Sequence, residues 1–173
     1  MRAIGLLRAT ALLAVALLAS SVACTVAEEI VRAYPIAGLD GVITRSGVEF
    51  DLKTTSDGNG SLRLSSKGYK AFRLYEIEDP DVEGTRLLYR AQIRTQDVKG
   101  RVYLEMWCRF PGQGEFFSRA LDAPITGTTE WTTQETPFIL EQGQSPSNIK
   151  LNLIVEGPGT VWVDEIVLAK GAS

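Results

Sequence analysis

Four side chains that can contact a polar ligand alternate with apolar ones between Arg101 and Phe110. They are Tyr103, Glu105, Trp107 and Arg109. Successive side chains of a β-strand point to opposite faces, so this period of two predicts a strand with one core face and one polar, aromatic face. Aromatic rings beside hydrogen-bonding groups suit a sugar, which has an apolar C–H face and a rim of hydroxyls. The second face is therefore a candidate ligand-binding surface.

A neighbouring predicted strand, Thr85 to Thr95, carries further polar side chains on its outward face. The ones that we select are Arg90, Gln92 and Arg94. The short segment Asp97 to Gly100 predicts a hairpin that would bring them beside the first four, where they could bind hydroxyls or the carboxylate of an acidic sugar. Two alternatives remain open. A loop or the N-terminal arm could bury both aromatic rings, and the charged groups could form a cross-strand salt-bridge lattice with Glu105 between arginines.

The residue types present argue against catalysis. The chain has 173 residues and contains no histidine, which excludes Ser–His–Asp and Cys–His mechanisms and most zinc sites. The sequence has no phosphate-binding glycine loop between a strand and a helix, no CxxC and no HExxH. It also lacks acid pairs at glycosidase spacing on one strand. We expect a protein that is not an enzyme.

The charge balance bears on the partners. Eighteen Lys and Arg against 21 Asp and Glu give a net charge of −3. This balance does not favour nucleic acid or an anionic membrane surface as a partner.

The first residues have the order of an export signal. Arg2 and Arg8 precede a mostly apolar run from Ala9 to Ala19, and small residues follow. We therefore assign residues 1–27 to a signal peptide and residues 28–173 to the exported domain.

Two cleavage positions remain open, and they decide how the domain is anchored. The segment that ends at Cys24 resembles a bacterial lipobox, which implies lipidation of Cys24 and a tether to the membrane through that lipid alone. Cleavage after Ala27 would instead release a soluble periplasmic or secreted domain.

Beyond the export segment, short alternating segments are separated by Gly, Pro, Asp and Asn. About nine strands are predicted, at 48–53, 61–65, 70–77, 85–95, 102–110, 116–121, 131–140, 149–156 and 160–169. No segment between them has the period of a helix, so the fold class is an all-β antiparallel β-sandwich.

The final third of the chain resembles the end of a known jelly roll. Its segments are Thr129-Glu130-Trp131, Ile149-Lys150-Leu151-Asn152-Leu153 and Gly159 to Leu168. They are similar to the closing strands of the carbohydrate-binding-module superfamily, also called galactose-binding-like. Gly60 to Leu64 and Leu88 to Arg94 resemble its earlier strands. The resemblance implies a two-sheet jelly roll that holds a saccharide on a concave sheet or in its end loops.

The resemblance also implies a metal. Many modules of this superfamily carry a structural calcium near the closing acidic residue, and Asp164 is the matching position. A partner would come from the Glu49-to-Asp51 strand or from the loop with Asp57 and Asn59. Calcium binds about six to eight oxygens. We expect no other cofactor.

These observations lead to two function hypotheses. The first is an exported, non-catalytic module that binds a carbohydrate or glycan-like ligand on the polar, aromatic face. The second is an interaction or scaffold domain of the cell envelope, with a protein partner on the same face or on an exposed edge strand.

Overall fold

The computed structural model describes residues 28–171, which form seven strands and no helix. The strands are β1 (Glu29–Tyr34), β2 (Val48–Asp51), β3 (Ser61–Glu78), β4 (Arg86–Phe110), β5 (Gly114–Arg119), β6 (Ile125–Ile139) and β7 (Asn148–Gly171). All paired strands are antiparallel. This part of the chain therefore contains no helix that could span a membrane. The predicted export signal, with Cys24, lies outside the described residues.

Three long strands form the framework. β7 pairs with β3 along one edge and with β4 along the other, and both pairings run over most of its length. The β4–β7 register shifts between Gln96 and Val102, which divides the long strands into two parts. We call the part containing 61–66 of β3, 86–96 of β4 and 159–171 of β7 the first half-sheet; β1, β2 and β6 flank it. The second half-sheet contains 69–78 of β3, 102–110 of β4, 148–155 of β7 and β5.

The two half-sheets share one hydrophobic core. Between them, the backbones of β4 and β7 approach very closely at Gly100. A Cβ there would lie 1.3 Å from the carbonyl oxygen of Glu156, so only glycine fits this crossing.

The all-β antiparallel sandwich is confirmed, but the number and limits of the strands differ from the prediction. Three predicted pairs of strands are continuous, because Gly68, Asp97 and Gly157 lie within paired strands and not in turns. Asp97 has a positive φ of 55° at a register shift. β1 was not predicted, since this short, largely exposed strand has no simple alternation.

The predicted hairpin at Asp97 to Gly100 is wrong. β4 continues through this segment, and its two parts pair with different stretches of β7 rather than with each other. The predicted core face of the second part is confirmed, since Val102, Leu104, Met106, Cys108 and Phe110 are all buried. Burial raises the pKa of the Cys108 thiol to about 12, which keeps it protonated at neutral pH.

Candidate functional site

The second half-sheet carries a groove on its outer face. Two rows of side chains cross its strands: Arg73, Asn152, Glu105 and Arg119 form one, and Lys150, Trp107 and Phe117 form the next. We call the cavity above them the polar-aromatic groove. Its volume is about 290 Å³, and it is lined by Tyr69, Ala71, Arg73, Glu105, Trp107, Glu115, Arg119 and Lys150.

Glu105 organises the floor of the groove. Its side chain is buried, with 4% of the residue exposed. The oxygen Oε1 accepts hydrogen bonds from Trp107 Nε1 at 2.7 Å and Asn152 Nδ2 at 3.0 Å, while Oε2 accepts one from Arg119 Nε at 2.6 Å. The hydrogen bond from Arg119 also raises the pKa of that guanidinium. Glu105 therefore fixes the orientation of the indole, the amide and the guanidinium around it.

Two aromatic residues, Tyr69 and Trp107, line the groove, and a third, Phe117, packs against Trp107. The Trp107 ring is partly exposed and lies 4.8 Å from the centroid of Phe117 at a tilt of 44°. The Arg119 guanidinium lies over Phe117 at 4.3 Å, a cation–π contact. Tyr69, on β3, is 68% exposed. These rings give the groove apolar surface beside its charged groups.

Unused hydrogen-bonding capacity is concentrated on this face. Among residues 28–171, four buried side-chain atoms have no hydrogen-bond partner: Arg73 Nε, Asn148 Oδ1, Asn152 Oδ1 and Tyr89 OH. The first three belong to β3 and β7 of the second half-sheet, and Asn148 lies two rows from Asn152 on the same face. A buried polar group without a partner costs about 1–3 kcal/mol. Of these four residues only Arg73 lines the groove, and the unpartnered atoms are buried, so a ligand in the groove does not contact them.

Tyr103 does not offer its ring to the groove, which corrects the prediction. Only 3% of the residue is exposed, and its hydroxyl donates to Glu156 Oε1 at 3.0 Å. Burial, followed by the Glu156 contact, raises the pKa of Tyr103 to about 12. Glu156 also accepts hydrogen bonds from Arg101 at 2.7 and 3.1 Å, which lower the pKa of Glu156. Tyr103 thus links β4 to β7 beside the close crossing at Gly100 between the half-sheets, which we call the hinge.

Arg109 lies one row beyond Trp107, is exposed, and does not line the groove. Its β5 neighbour Glu115 pairs instead with Lys150 at 2.5 Å, and this hydrogen bond lowers the pKa of Glu115.

The structure separates Arg90, Gln92 and Arg94 from the groove. They lie on the first half-sheet, because β4 runs on through the predicted hairpin. Each has a cross-strand or N-terminal partner: Glu28 at 2.6 Å and Glu135 at 3.3 Å for Arg90, Thr133 at 2.9 Å for Gln92, and Glu130 at 3.5 Å for Arg94. The salt-bridge lattice therefore exists, but Glu105 is not part of it. Such surface pairs each contribute little to stability.

The surroundings of Asp164 do not fit the calcium that the resemblance implies. Asp164 is 1% exposed; its Oδ2 accepts hydrogen bonds from Ser56 N at 2.9 Å and Ser56 Oγ at 2.8 Å, and its Oδ1 accepts one from Glu165 N at 2.8 Å. N–H and O–H donors thus hold both carboxylate oxygens. No cluster of three acidic, Cys or His side chains suited to a metal occurs among the described residues. Asp164 instead fastens the loop after β2 to β7.

Several residues that line the groove were not selected from the sequence: Tyr69, Ala71, Arg73, Glu115, Arg119 and Lys150. Most come from strands whose register with β4 cannot be read from local pattern. The alternation in Ile149-Lys150-Leu151-Asn152-Leu153 was an available signal, since it places Lys150 and Asn152 together on the outer face.

Several solved structures with a similar fold are carbohydrate-binding modules. The CBM22-1 xylan-binding domain of Paenibacillus barcinonensis Xyn10C has a TM-score of 0.64 and 14% identity, covering 85% of this chain and 97% of that one. The CBM22-1–GH10 modules of Clostridium thermocellum xylanase 10B, complexed with xylohexaose, have a TM-score of 0.62 and 12% identity, covering 85% of this chain and 29% of that one. A family 16 carbohydrate-binding module has a TM-score of 0.56 and 15% identity, covering 76% of this chain and 92% of that one. At these identities the likeness shows the fold alone.

Sequence comparison is less informative. No protein-family model matches the chain. It is 29% identical over 87 residues to the uncharacterized HTH-type transcriptional regulator YbfP of Bacillus subtilis, which covers 49% of this chain. The match spans only 28% of that regulator's length.

Proposed function

We propose that this protein is a non-catalytic binding module for carbohydrate and that the polar-aromatic groove holds the ligand. The observation that carries the proposal is the arrangement around Glu105. The buried carboxylate of Glu105 fixes three groups on one sheet face: the partly exposed indole of Trp107, the amide of Asn152 and the guanidinium of Arg119. Preorganised side chains lose less conformational entropy when a ligand binds.

The chemistry of the groove matches both surfaces of a sugar ring. The Trp107 and Tyr69 rings can stack on an apolar C–H face, and such aromatic contacts suit a flat, partly hydrated ligand. The charged groups of Arg73 and Lys150 can donate to hydroxyl oxygens at the ring edge. The fold supports the same proposal, since the similar structures described above include xylan-binding domains.

The acidic groups of the groove are poorly placed for catalysis. A glycosidase needs one carboxylic acid and one carboxylate that are free to act at the scissile bond. Glu105 is held by three hydrogen bonds, and Glu115 is paired with Lys150. Binding without turnover is the function that this arrangement supports best.

We also propose that the module works outside the cytoplasm, after cleavage of the export signal either before Cys24 or after Ala27. Mass spectrometry of the mature protein distinguishes the lipoprotein from the soluble form. The lipoprotein begins at Cys24 and carries the mass of its acyl chains, whereas the soluble form begins at Glu28 and carries no lipid. A protein partner of the envelope is the alternative use of the same face.

The test is affinity electrophoresis through gels that contain soluble xylan, glucomannan or galactan. We expect at least one polymer to retard the protein, and Trp107→Ala to remove the retardation while circular dichroism shows a folded domain. Trp131→Ala is the matched control, because Trp131 is also partly exposed but does not line the groove. The contrary result is that no saccharide retards the protein, while the wild type, but not Trp107→Ala, retains a protein from envelope extracts. That result would overturn the carbohydrate proposal in favour of a protein-interaction domain.

A further inference from the structure

A second cavity adjoins the polar-aromatic groove. It lies between β6 and the loop that follows β5, has a volume of about 240 Å³, and we call it the side pocket. Arg119 lines both cavities, so the groove and the side pocket meet at this residue. The methyl groups of Ala120 and Ala123, the Ile125 side chain and the Pro137 ring form much of the wall.

The polar side chains around the side pocket are largely occupied by the fold. Gln134 is buried; its Oε1 accepts from Leu104 N and its Nε2 donates to Ala123 O, both at 2.8 Å. Thr133 and Glu135 bond to side chains of β4 on the first half-sheet. These groups fix the pocket wall and offer little hydrogen bonding to an occupant, whereas Asp122, which also lines the pocket, is exposed and its carboxylate can accept hydrogen bonds.

The apolar wall and the already bonded polar side chains determine which kind of group the side pocket favours. A sugar ring in the side pocket would lose water from several hydroxyls, and the Asp122 carboxylate could replace only part of those hydrogen bonds, which is unfavourable. An apolar group would gain from burial against Ala123 and Ile125. A hydrogen-bond donor is also available: the terminal nitrogens of Arg119 make no hydrogen bond among the described residues, while its Nε is held by Glu105. A guanidinium N–H there can donate to a carbonyl oxygen.

We propose that the side pocket binds an acyl group esterified to the saccharide that lies in the groove. The ester carbonyl accepts a hydrogen bond from Arg119, and the apolar part of the acyl group fills the pocket. This inference rests on the proposed function, because the saccharide chain in the groove brings the ester to Arg119. It makes the protein selective for acylated polysaccharide.

The test compares each polymer with its partly acetylated form. Xylan, glucomannan and galactan are each used plain and after chemical acetylation, and affinity electrophoresis gives the dissociation constants. We expect the acetylated form of a bound polymer to bind about fourfold more tightly for each buried methyl-sized group. Ala123→Leu, at an exposed position of the pocket rim, should abolish this preference and leave binding of the plain polymer unchanged. Ala33→Leu, on exposed β1, is the matched control and should keep the preference.

The outcomes separate the two proposals. Equal binding of plain and acetylated forms, or a preference that survives Ala123→Leu in a folded protein, overturns the side pocket and leaves the groove intact. Failure of every polymer in both forms overturns the groove, and the side-pocket proposal falls with it.

Discussion

Replacing Glu105 by glutamine removes the negative charge that holds the groove floor together. Glutamine keeps an oxygen that can accept from Trp107 and Asn152. Its amide nitrogen, however, would face Arg119 Nε, where Glu105 Oε2 now accepts a hydrogen bond at 2.6 Å. The substitution therefore removes one short charge-assisted hydrogen bond and leaves two N–H groups, the new amide and Arg119 Nε, facing each other.

The size of the effect follows from burial. Removing one partner of a fully buried ion pair costs about 3–5 kcal/mol, and a hydrogen bond to a charged group contributes about 1.5–3 kcal/mol. The Arg119 side chain is 32% exposed, so water can solvate it after the change. We expect Glu105→Gln to lower the free energy of unfolding by about 1.5–3 kcal/mol.

Urea denaturation followed by far-UV circular dichroism measures this loss without relying on the fluorescence of Trp107. Glu115→Gln is the control, since its ion pair with Lys150 lies at the surface and should contribute less than about 1 kcal/mol. In a double-mutant cycle, Glu105→Gln and Arg119→Gln should couple by about 1 kcal/mol or more. Equal losses for Glu105→Gln and Glu115→Gln, with no coupling to Arg119, would refute the role given to Glu105.

Two further predictions concern the hinge. Gly100→Ala should prevent folding or cost more than about 4 kcal/mol, because its Cβ would overlap the Glu156 carbonyl, whereas Gly68→Ala, which meets no atom within 4 Å, should be nearly neutral in thermal melts. The folded-state pKa of Glu156 lies below its ordinary value of 4.5, so its stabilising contribution is complete above that value and is lost as the pH falls through the folded pKa. The melting temperature of Glu156→Gln should therefore fall less than that of the wild type between about pH 5 and pH 3. The same fall in both proteins would contradict this.

The sequence was sufficient for the fold class and for one strand of the site. The alternation from Arg101 to Phe110 sorted its residues correctly into a core face and an outer face, because side-chain parity is local. It did not distinguish Tyr103 from Trp107, which share the outer face. Tyr103 is covered because it lies beside the hinge and contacts Glu156, a residue distant in sequence.

The wrong hairpin prediction at Asp97 to Gly100 affected the predicted site more than the error at Tyr103. Asp97 to Gly100 has the composition of a turn, but the close approach at Gly100 allows β4 to pass straight through and pair with β7 on both sides. A strand that continues places its two outer faces in different parts of the fold. The seven predicted binding residues were therefore divided between two surfaces, and the groove was completed by side chains from β3, β5 and β7.

The two outer surfaces of β4 differ in a way that favours the second one as the binding site. On the first half-sheet the arginines are matched by carboxylates, and Gln92 has its threonine. On the second, the buried amide oxygens of Asn148 and Asn152 have no hydrogen-bond partner. Stability alone would favour pairing or apolar replacement of such atoms. These atoms are buried and a ligand cannot reach them. The cationic side chains that line the groove beside Trp107 and Tyr69 are Arg73, Arg119 and Lys150, and these can donate to a hydroxylated ligand.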